Sequence, residues 1–303
     1  MLLKELLAAI KSNSIFLLGL FTFAIFLVKV DRFFLKKNNG FCLHYILSDA
    51  PSDPLWKTDA PIPHDILKQP FTYLGKGSQT YVFESQDQKY VLKFYKFPSH
   101  MRKIGWLKHP FAYQEGGKRN KIKQHNLDRF HLSYTSYFLS WKDLQDETGV
   151  LYVHLHPTKN LLTPIHLTDK LGMRYEVPAD QMGFILQRKA SPLLPTLQKA
   201  IAQQNEAHCK KIIDEVIHVI SSRCQKGISD LDAMHHNNYG WLDGRAIHID
   251  VGRFVRDDAV KTPEGCQKAV LRITQSLNDF LAQESPDLHR YYLSKAITSS
   301  SPV

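Results

Sequence analysis

The sequence predicts an α+β fold of two lobes, preceded by a single transmembrane helix, on three observations. A long apolar run stands near the start, strand-like segments surround one long helical stretch in the first half, and helical spacing dominates after Pro195. With 303 residues and 43% hydrophobic content, the chain has enough apolar surface for a real core and is not disordered. Cys42, Cys209, Cys224 and Cys266 are scattered without a C-x-x-C pair, which argues against a zinc ribbon or a disulfide framework.

The elements follow in order. After a short segment over residues 1–12, "SIFLLGLFTFAIFLVKV" supplies about 15 to 18 uncharged residues beginning at Asn13 or Ser14, near the lower limit for crossing a bilayer. We expect a transmembrane helix over 13–30. No small-residue cleavage site follows, so a retained anchor fits better than a removed signal peptide. Lys29, Arg32, Lys36 and Lys37 follow the run, against Lys4 and Lys11 before it, which predicts that the rest of the chain stays in the cytoplasm. Residues 31–66, containing the proline-rich "SDAPSDPLWKTDAPIP", read as a linker.

Residues 67–190 read as an N-terminal lobe. "FTYLGKGSQTYVFES" and "KYVLKFYKF" are β-branched and aromatic runs parted by polar "QDQ", the pattern of a hairpin. Ile122, Leu127, Phe130, Leu132, Tyr134, Tyr137, Phe138 and Trp141 roughly follow helical spacing and predict a helix over about 120–145. "GVLYVHLHP", "TPIHLTDKLGMRYEVP" and "QMGFILQRKA" add three or four strands, with Leu171-Gly172 as a turn. Residues 191–303 read as a helical C-terminal lobe. It contains a helix over about 205–223, a polar loop leading to strand-like "RAIHI", and helices near 263–283 and 287–295.

Three groups of residues carry chemistry. Gly75 and Gly77 fall in the turn of "LGKGSQTYVF", where a missing Cβ lets backbone N–H groups approach phosphate oxygens; a glycine hairpin without a ligand is the blander reading. Lys93 follows on the next strand behind apolar Val91 and Leu92, and either snorkels to solvent or points at the same phosphates. Asp232 and Asn237 have a D-x-x-x-x-N spacing, and Asp250 lies 13 residues beyond Asn237, before Gly252. One carboxylate facing an incoming hydroxyl, with an amide and a second carboxylate on Mg2+, meets the needs of phosphoryl transfer. A polar turn capped by Asp230 and Asp232 is the alternative.

In this order the motifs resemble those of the protein-kinase-like superfamily. "LGKGSQTYV" resembles its glycine-rich loop, "VLK" its V-A-I-K strand, "DAMHHN" its catalytic loop and "IDVG" its D-F-G. The resemblance spans about residues 73–254 and implies a two-lobed kinase-like fold that binds ATP and Mg2+. It implies Gly75, Gly77 and Lys93 on the nucleotide, Asp232 as base, and Asn237 and Asp250 as metal ligands, with Asn238 the second choice for the amide. Thr80 replaces the third loop glycine, Val251 the Phe of D-F-G, and Met234 a common lysine. The acid that would pair with Lys93 stays open among Glu115, Asp128, Asp143 and Glu147. Only 51 residues follow Gly252, too few for the peptide-binding segment and later helices of a protein kinase. The trimmed C-lobe resembles small-molecule and atypical kinases, including those acting on lipopolysaccharide-core sugars.

The resemblance therefore implies a membrane-anchored, single-pass kinase-like protein that transfers the γ-phosphoryl group of ATP to a hydroxyl of a small or lipid-linked acceptor. A pseudokinase acting as a membrane-tethered binding module is the alternative. The net charge of +10 suits an anionic partner, such as phospholipid or a phosphorylated metabolite. No nucleic-acid-binding motif accompanies it, so nucleic acid is not an expected partner. His154 and His156 form an H-x-H pair without a third zinc ligand at a telling spacing, and His235 and His236 adjoin Asp232.

Overall fold

The computed structural model describes residues 2–48, 52–98, 101–102, 118–232 and 238–298. Its first helix, α1 (Leu2–Lys37), leaves Phe16, Phe21, Phe26 and Phe33 each more than half exposed. Among the described residues no helix is long and apolar enough to cross a membrane. This corrects the expected transmembrane helix over 13–30. Only 17 uncharged residues, Ser12 to Val28, separate Lys11 from Lys29, and Asp31 and Arg32 follow at once, whereas a span needs about 20. The helix closes where Asn39 (φ 53°) and Gly40 (φ 80°) adopt left-handed backbone and Gly40 N–H donates to Leu35 O at 2.7 Å.

The stretch expected as a linker is part of the core. Phe41, Ile46 and Trp56 are at most 3% exposed, as is Leu67 just past the stretch, on the short helix α2 (His64–Leu67). Phe41 meets the rings of Tyr81 and Phe83 edge-on, both at 5.2 Å. The prolines obscured these widely spaced apolar residues, which follow no helical or strand period.

Strand alternation builds the first lobe. β1 (Phe71–Lys76), β2 (Thr80–Ser85) and β3 (Tyr90–Tyr95) form an antiparallel meander. Leu92 and Phe94 share one face with Phe71 and Phe83, packed with Phe41, Ile46 and Leu67. Val91, Lys93 and Tyr95 take the opposite face, as the two-residue period requires. There α3 (Lys118–Asp143) packs, with Phe130 and Tyr134 against Tyr95. The lobe continues through α4 (Gln145–Thr148), β4 (Val150–His154), β5 (Ile165–Thr168), β6 (Arg174–Val177) and β7 (Phe184–Arg188). The sheet order is β4-β7-β3-β2-β1-β5-β6, antiparallel throughout except for β1 beside β5.

The second half is mainly helical. It runs through β8 (Ser191–Pro192), α5 (Leu193–Ala202), α6 (Glu206–Gln225), β9 (Ile228–Asp230), β10 (Tyr239–Leu242), β11 (Arg245–His248) and β12 (Phe254–Arg256) to α7 (Pro263–Ile273), α8 (Gln275–Glu284) and α9 (Pro286–Thr298). The sequence reading did not include α5; its Pro195 stands in the first turn, where a missing N–H costs nothing. The Asn205 side chain caps α6 by accepting from His208 N–H at 3.1 Å. The helix expected over 263–283 is two. Thr274 parts them, its hydroxyl bonded to Val270 O at 2.7 Å and Tyr292 Oη at 2.6 Å. At Gly240 the chain joining the lobes passes so close that a Cβ would lie 2.6 Å from Ala190 Cβ and 3.1 Å from Ile249 Cγ2.

Phe41→Ala is expected to cost about 3 to 5 kcal/mol in urea unfolding, the usual penalty for emptying a packed aromatic site. A loss below about 1 kcal/mol would show that the segment after α1 is peripheral to the core.

Candidate active site

Between β1 and β2 the chain turns through Gly77, Ser78 and Gln79. Nothing lies within 4 Å of where a Gly75 Cβ would stand, and at Gly77 the nearest atom is Thr80 Oγ1 at 3.6 Å. Neither glycine has positive φ. The packing of the chain itself therefore does not require them, and their openness leaves space for a ligand.

Lys93 pairs with Val82 and Ile185 in the middle of the sheet. Its side chain does not snorkel to solvent: Nζ donates to Ile249 O of the second lobe at 2.5 Å, one residue before Asp250. Burial pushes its pKa down to about 8, with the Asp250 charge opposing that shift. The described acids considered for this lysine are engaged elsewhere. Asp128 accepts from Gln124 at 2.8 Å, Asp143 pairs with Arg256 at 2.6 Å and Glu147 pairs with Lys226 at 2.6 Å. Glu115 lies outside the described residues.

In place of an acid, α3 turns hydroxyls toward the site. Ser133 Oγ lies 2.8 Å from Arg129 O and 3.0 Å from Gln79 Oε1, its one proton shared between the two acceptors. Ser136 Oγ donates to Val251 O at 2.5 Å and accepts from Phe254 N–H at 2.6 Å. One helix thus grips both the glycine turn and the Asp-Val-Gly segment. The two also touch, since a Cβ on Gly252 would stand 2.5 Å from Gln79 Oε1. Val251 is 2% exposed and packs with Tyr137 and Phe254.

The second lobe supplies the acids. Asp250 is exposed and Asp232 half-buried. Asn237 lies outside the described residues, as do His235 and His236; the described amide is Asn238. Its Nδ2 donates to Asp232 O at 3.4 Å and its carbonyl accepts from Ile249 N–H at 2.7 Å, tying the Asp232 loop to the Asp250 strand end.

Beneath them sits a buried cluster. Asp230 is 1% exposed, and its Oδ1 accepts from Asp232 N–H at 2.8 Å. Its Oδ2 faces Arg223 Nη1 at 3.9 Å and His248 Nε2 at 3.5 Å. Burial raises the Asp230 pKa to about 6 despite Arg223, and burial with the Arg223 charge holds His248 neutral, well below its ordinary value. His248 Nδ1 lies 3.0 Å from Arg223 Nη1 and so accepts, which leaves the ring proton on Nε2, facing Asp230. The sequence reading missed Arg223 and His248. The available signal was a charged residue interrupting the apolar face of α6 and a histidine inside an apolar strand.

His154 is a core residue, with Met182 O at 2.7 Å on Nδ1 and Thr158 Oγ1 at 3.0 Å on Nε2. Among the described residues no group of three His, Cys, Asp or Glu side chains is arranged to hold a metal. A hollow of about 880 Å³ lies at the outer edge of the first-lobe sheet, lined by Thr72, Glu84, His166, Arg174 and Glu176 among others. Its lining includes neither Lys93 nor Asp250.

No protein-family model and no curated protein matches this chain. Solved structures give a distant likeness. WbdD with the kinase inhibitor LY294002 has 14% identity over 75% of this chain and 44% of that one, at a TM-score of 0.36. The bifunctional kinase-methyltransferase WbdD gives 15% over 73% and 42%, at 0.34. Rv3197 with erythromycin, from Mycobacterium tuberculosis, gives 14% over 74% and 56%, at 0.33. The chain spans less than half the length of the WbdD structures, and likeness at these scores carries no argument about function.

Asp230 favours the folded state when protonated. That contribution is complete below the ordinary carboxylate value of 3.8 and is lost as pH rises through about 6. Unfolding free energies across that window should fall with pH more steeply in the parent than in Asp230→Asn. Equal slopes would show that Asp230 does not titrate there.

Proposed function

We propose that this chain is a kinase-type phosphotransferase, moving the γ-phosphoryl group of ATP to a hydroxyl of a small or lipid-linked acceptor. The observation that carries this reading is the reach of Lys93 across to the Ile249 carbonyl, beside Asp250. The glycine turn meets the same segment at Gly252.

In this reading Lys93 holds the α- and β-phosphates, and Gly75 and Gly77 let backbone N–H groups approach them. Asp232 is the accessible acid of its loop, since Asp230 is sealed against Arg223 and His248. It takes the acceptor hydroxyl proton as the new oxygen–phosphorus bond forms and the bond to the β-phosphate oxygen breaks. Asp250 and Asn238 offer the oxygen ligands that Mg2+ takes, with Asn237 retained as the alternative amide. The ion, when bound, neutralises phosphate charge.

One observation favours a pseudokinase instead: among the described residues, none of the candidate acids on α3 and α4 pairs with Lys93. A thermal shift with ATP and Mg2+ tests for a nucleotide site, and phosphoryl transfer or ATP hydrolysis separates enzyme from binding module. Asp232→Ala is expected to lower turnover about 100- to 10,000-fold with nucleotide affinity little changed. Undiminished turnover would remove Asp232 from the role of base.

The proposal also places α1 against lipid, with the lobes on the cytoplasmic side. Its exposed phenylalanines, with Lys29, Arg32, Lys36 and Lys37, suit an anionic membrane surface. Flotation of the full chain with phosphatidylserine-containing vesicles is the expected result. A chain left behind in the soluble fraction would refute the lipid contact.

A further inference from the structure

We infer that the turn between β5 and β6 is a second membrane contact, setting Leu171 and Met173 among anionic lipid headgroups beside the end of α1. This rests on the lipid contact of α1.

Surface turns ordinarily carry small or polar side chains. This one reads Lys170-Leu171-Gly172-Met173, and Leu171 and Met173 are 45% and 59% exposed. Buried Asp169 fixes its shape from within. Its Oδ1 accepts from the N–H groups of Leu171 and Met173, both at 2.9 Å, and Gly172 takes left-handed backbone (φ 85°) between them. The tip is therefore a built turn that presents two large apolar side chains to the outside.

The same carboxylate joins the turn to α1. Its Oδ2 accepts from Asn38 Nδ2 and from Tyr175 Oη, both at 2.8 Å. Asn38 is the residue after α1, so the tip stands where that helix leaves the lobe. Phe33 and Phe34, in the last turns of α1, are also more than half exposed. Exposed apolar side chains gathered at one place mark an interaction site.

The charge around them selects the partner. Lys36, Lys37, Lys170 and Arg174 are exposed, and so is Lys76, whose Nζ lies 3.3 Å from where a Gly40 Cβ would stand. Among the described residues none of these five cations pairs with a carboxylate. Asp169 is spent on the turn, which leaves Asp31 and Glu176 as the exposed acids of α1's last turns and of β6. An apolar tip inside a cationic collar complements anionic headgroups over acyl chains. Lys76 adjoins Gly77, so the contact sets the glycine turn close to the bilayer.

Leu171→Trp and Met173→Trp, each in the full chain, read the contact on phosphatidylserine-containing vesicles with and without brominated acyl chains, which quench tryptophan that reaches them. Relative to the parent, the added emission is expected to shift to shorter wavelength and to be quenched. Leu161→Trp, exposed at the far end of β5, should gain neither effect. Replacing both Lys170 and Arg174 by Gln should weaken partition onto these vesicles about 25-fold, about fivefold per charge, and leave partition onto neutral phosphatidylcholine unchanged. All these positions are exposed, so the variants should unfold at the parent's temperature. Tip variants quenched no more than Leu161→Trp overturn the contact, as does unchanged partition of the double charge variant. A parent chain that stays off the vesicles defeats the lipid reading of α1, and this contact with it. Parent binding with silent tip variants sinks the hairpin contact alone.

Discussion

The Lys93 ammonium leaves its own sheet for a carbonyl of the opposite lobe, and much of the surrounding architecture follows from keeping it there. Burying an ammonium costs several kcal/mol unless dipoles or charges replace its water. Here the replacement is partial: the Ile249 carbonyl and the field of Asp250 offset the burial without cancelling it, and the lysine pKa falls to about 8. A lysine in that condition is poorly satisfied by the chain alone.

Helix α3 ties the glycine turn of the first lobe to the Asp-Val-Gly segment of the second with hydroxyls. Ser133, Ser136 and Ser140 are fully buried, and their small size lets the helix approach the Asp-Val-Gly segment closely. Ser136 both donates to and accepts from that segment, so a single oxygen fixes the chain on either side of Gly252. The acids of this region do different work. Asp143 and Glu147 pair with Arg256 and Lys226 of the second lobe, clamping the end of the helical stretch to it. The position of α3 is thus set at its middle by serines and at its end by ion pairs.

Under the acidic loop, the Arg223, His248 and Asp230 side chains form a dry polar cluster contributed by α6, β11 and β9. Its geometry is incomplete in the sense that matters for electrostatics. Asp230 Oδ2 has no close donor, and the neutral histidine cannot supply a full positive charge. The benefit lies in position. Asp230 fixes the Asp232 backbone through one N–H and receives Arg272 on its own carbonyl, so the loop starts from a rigid base.

Local periodicity in the sequence was enough for the strand meander, the long α3, the capped α6 and the glycine turn followed by a strand lysine. Alternation and helical spacing are properties of neighbours along the chain. The order of the motifs along the chain was legible too. Other features depend on contacts between distant residues. The bond from Lys93 to Ile249 spans 156 positions, and no local pattern states that α3 meets that region with serines while its acids turn elsewhere. Nor did composition reveal that Phe41, Ile46 and Trp56 of a proline-rich stretch belong to the core, or that Asn238 joins Asp232 to Asp250. Sequence determined which residues were able to act; the direction in which each side chain points, set by packing across the fold, decided which of them meet.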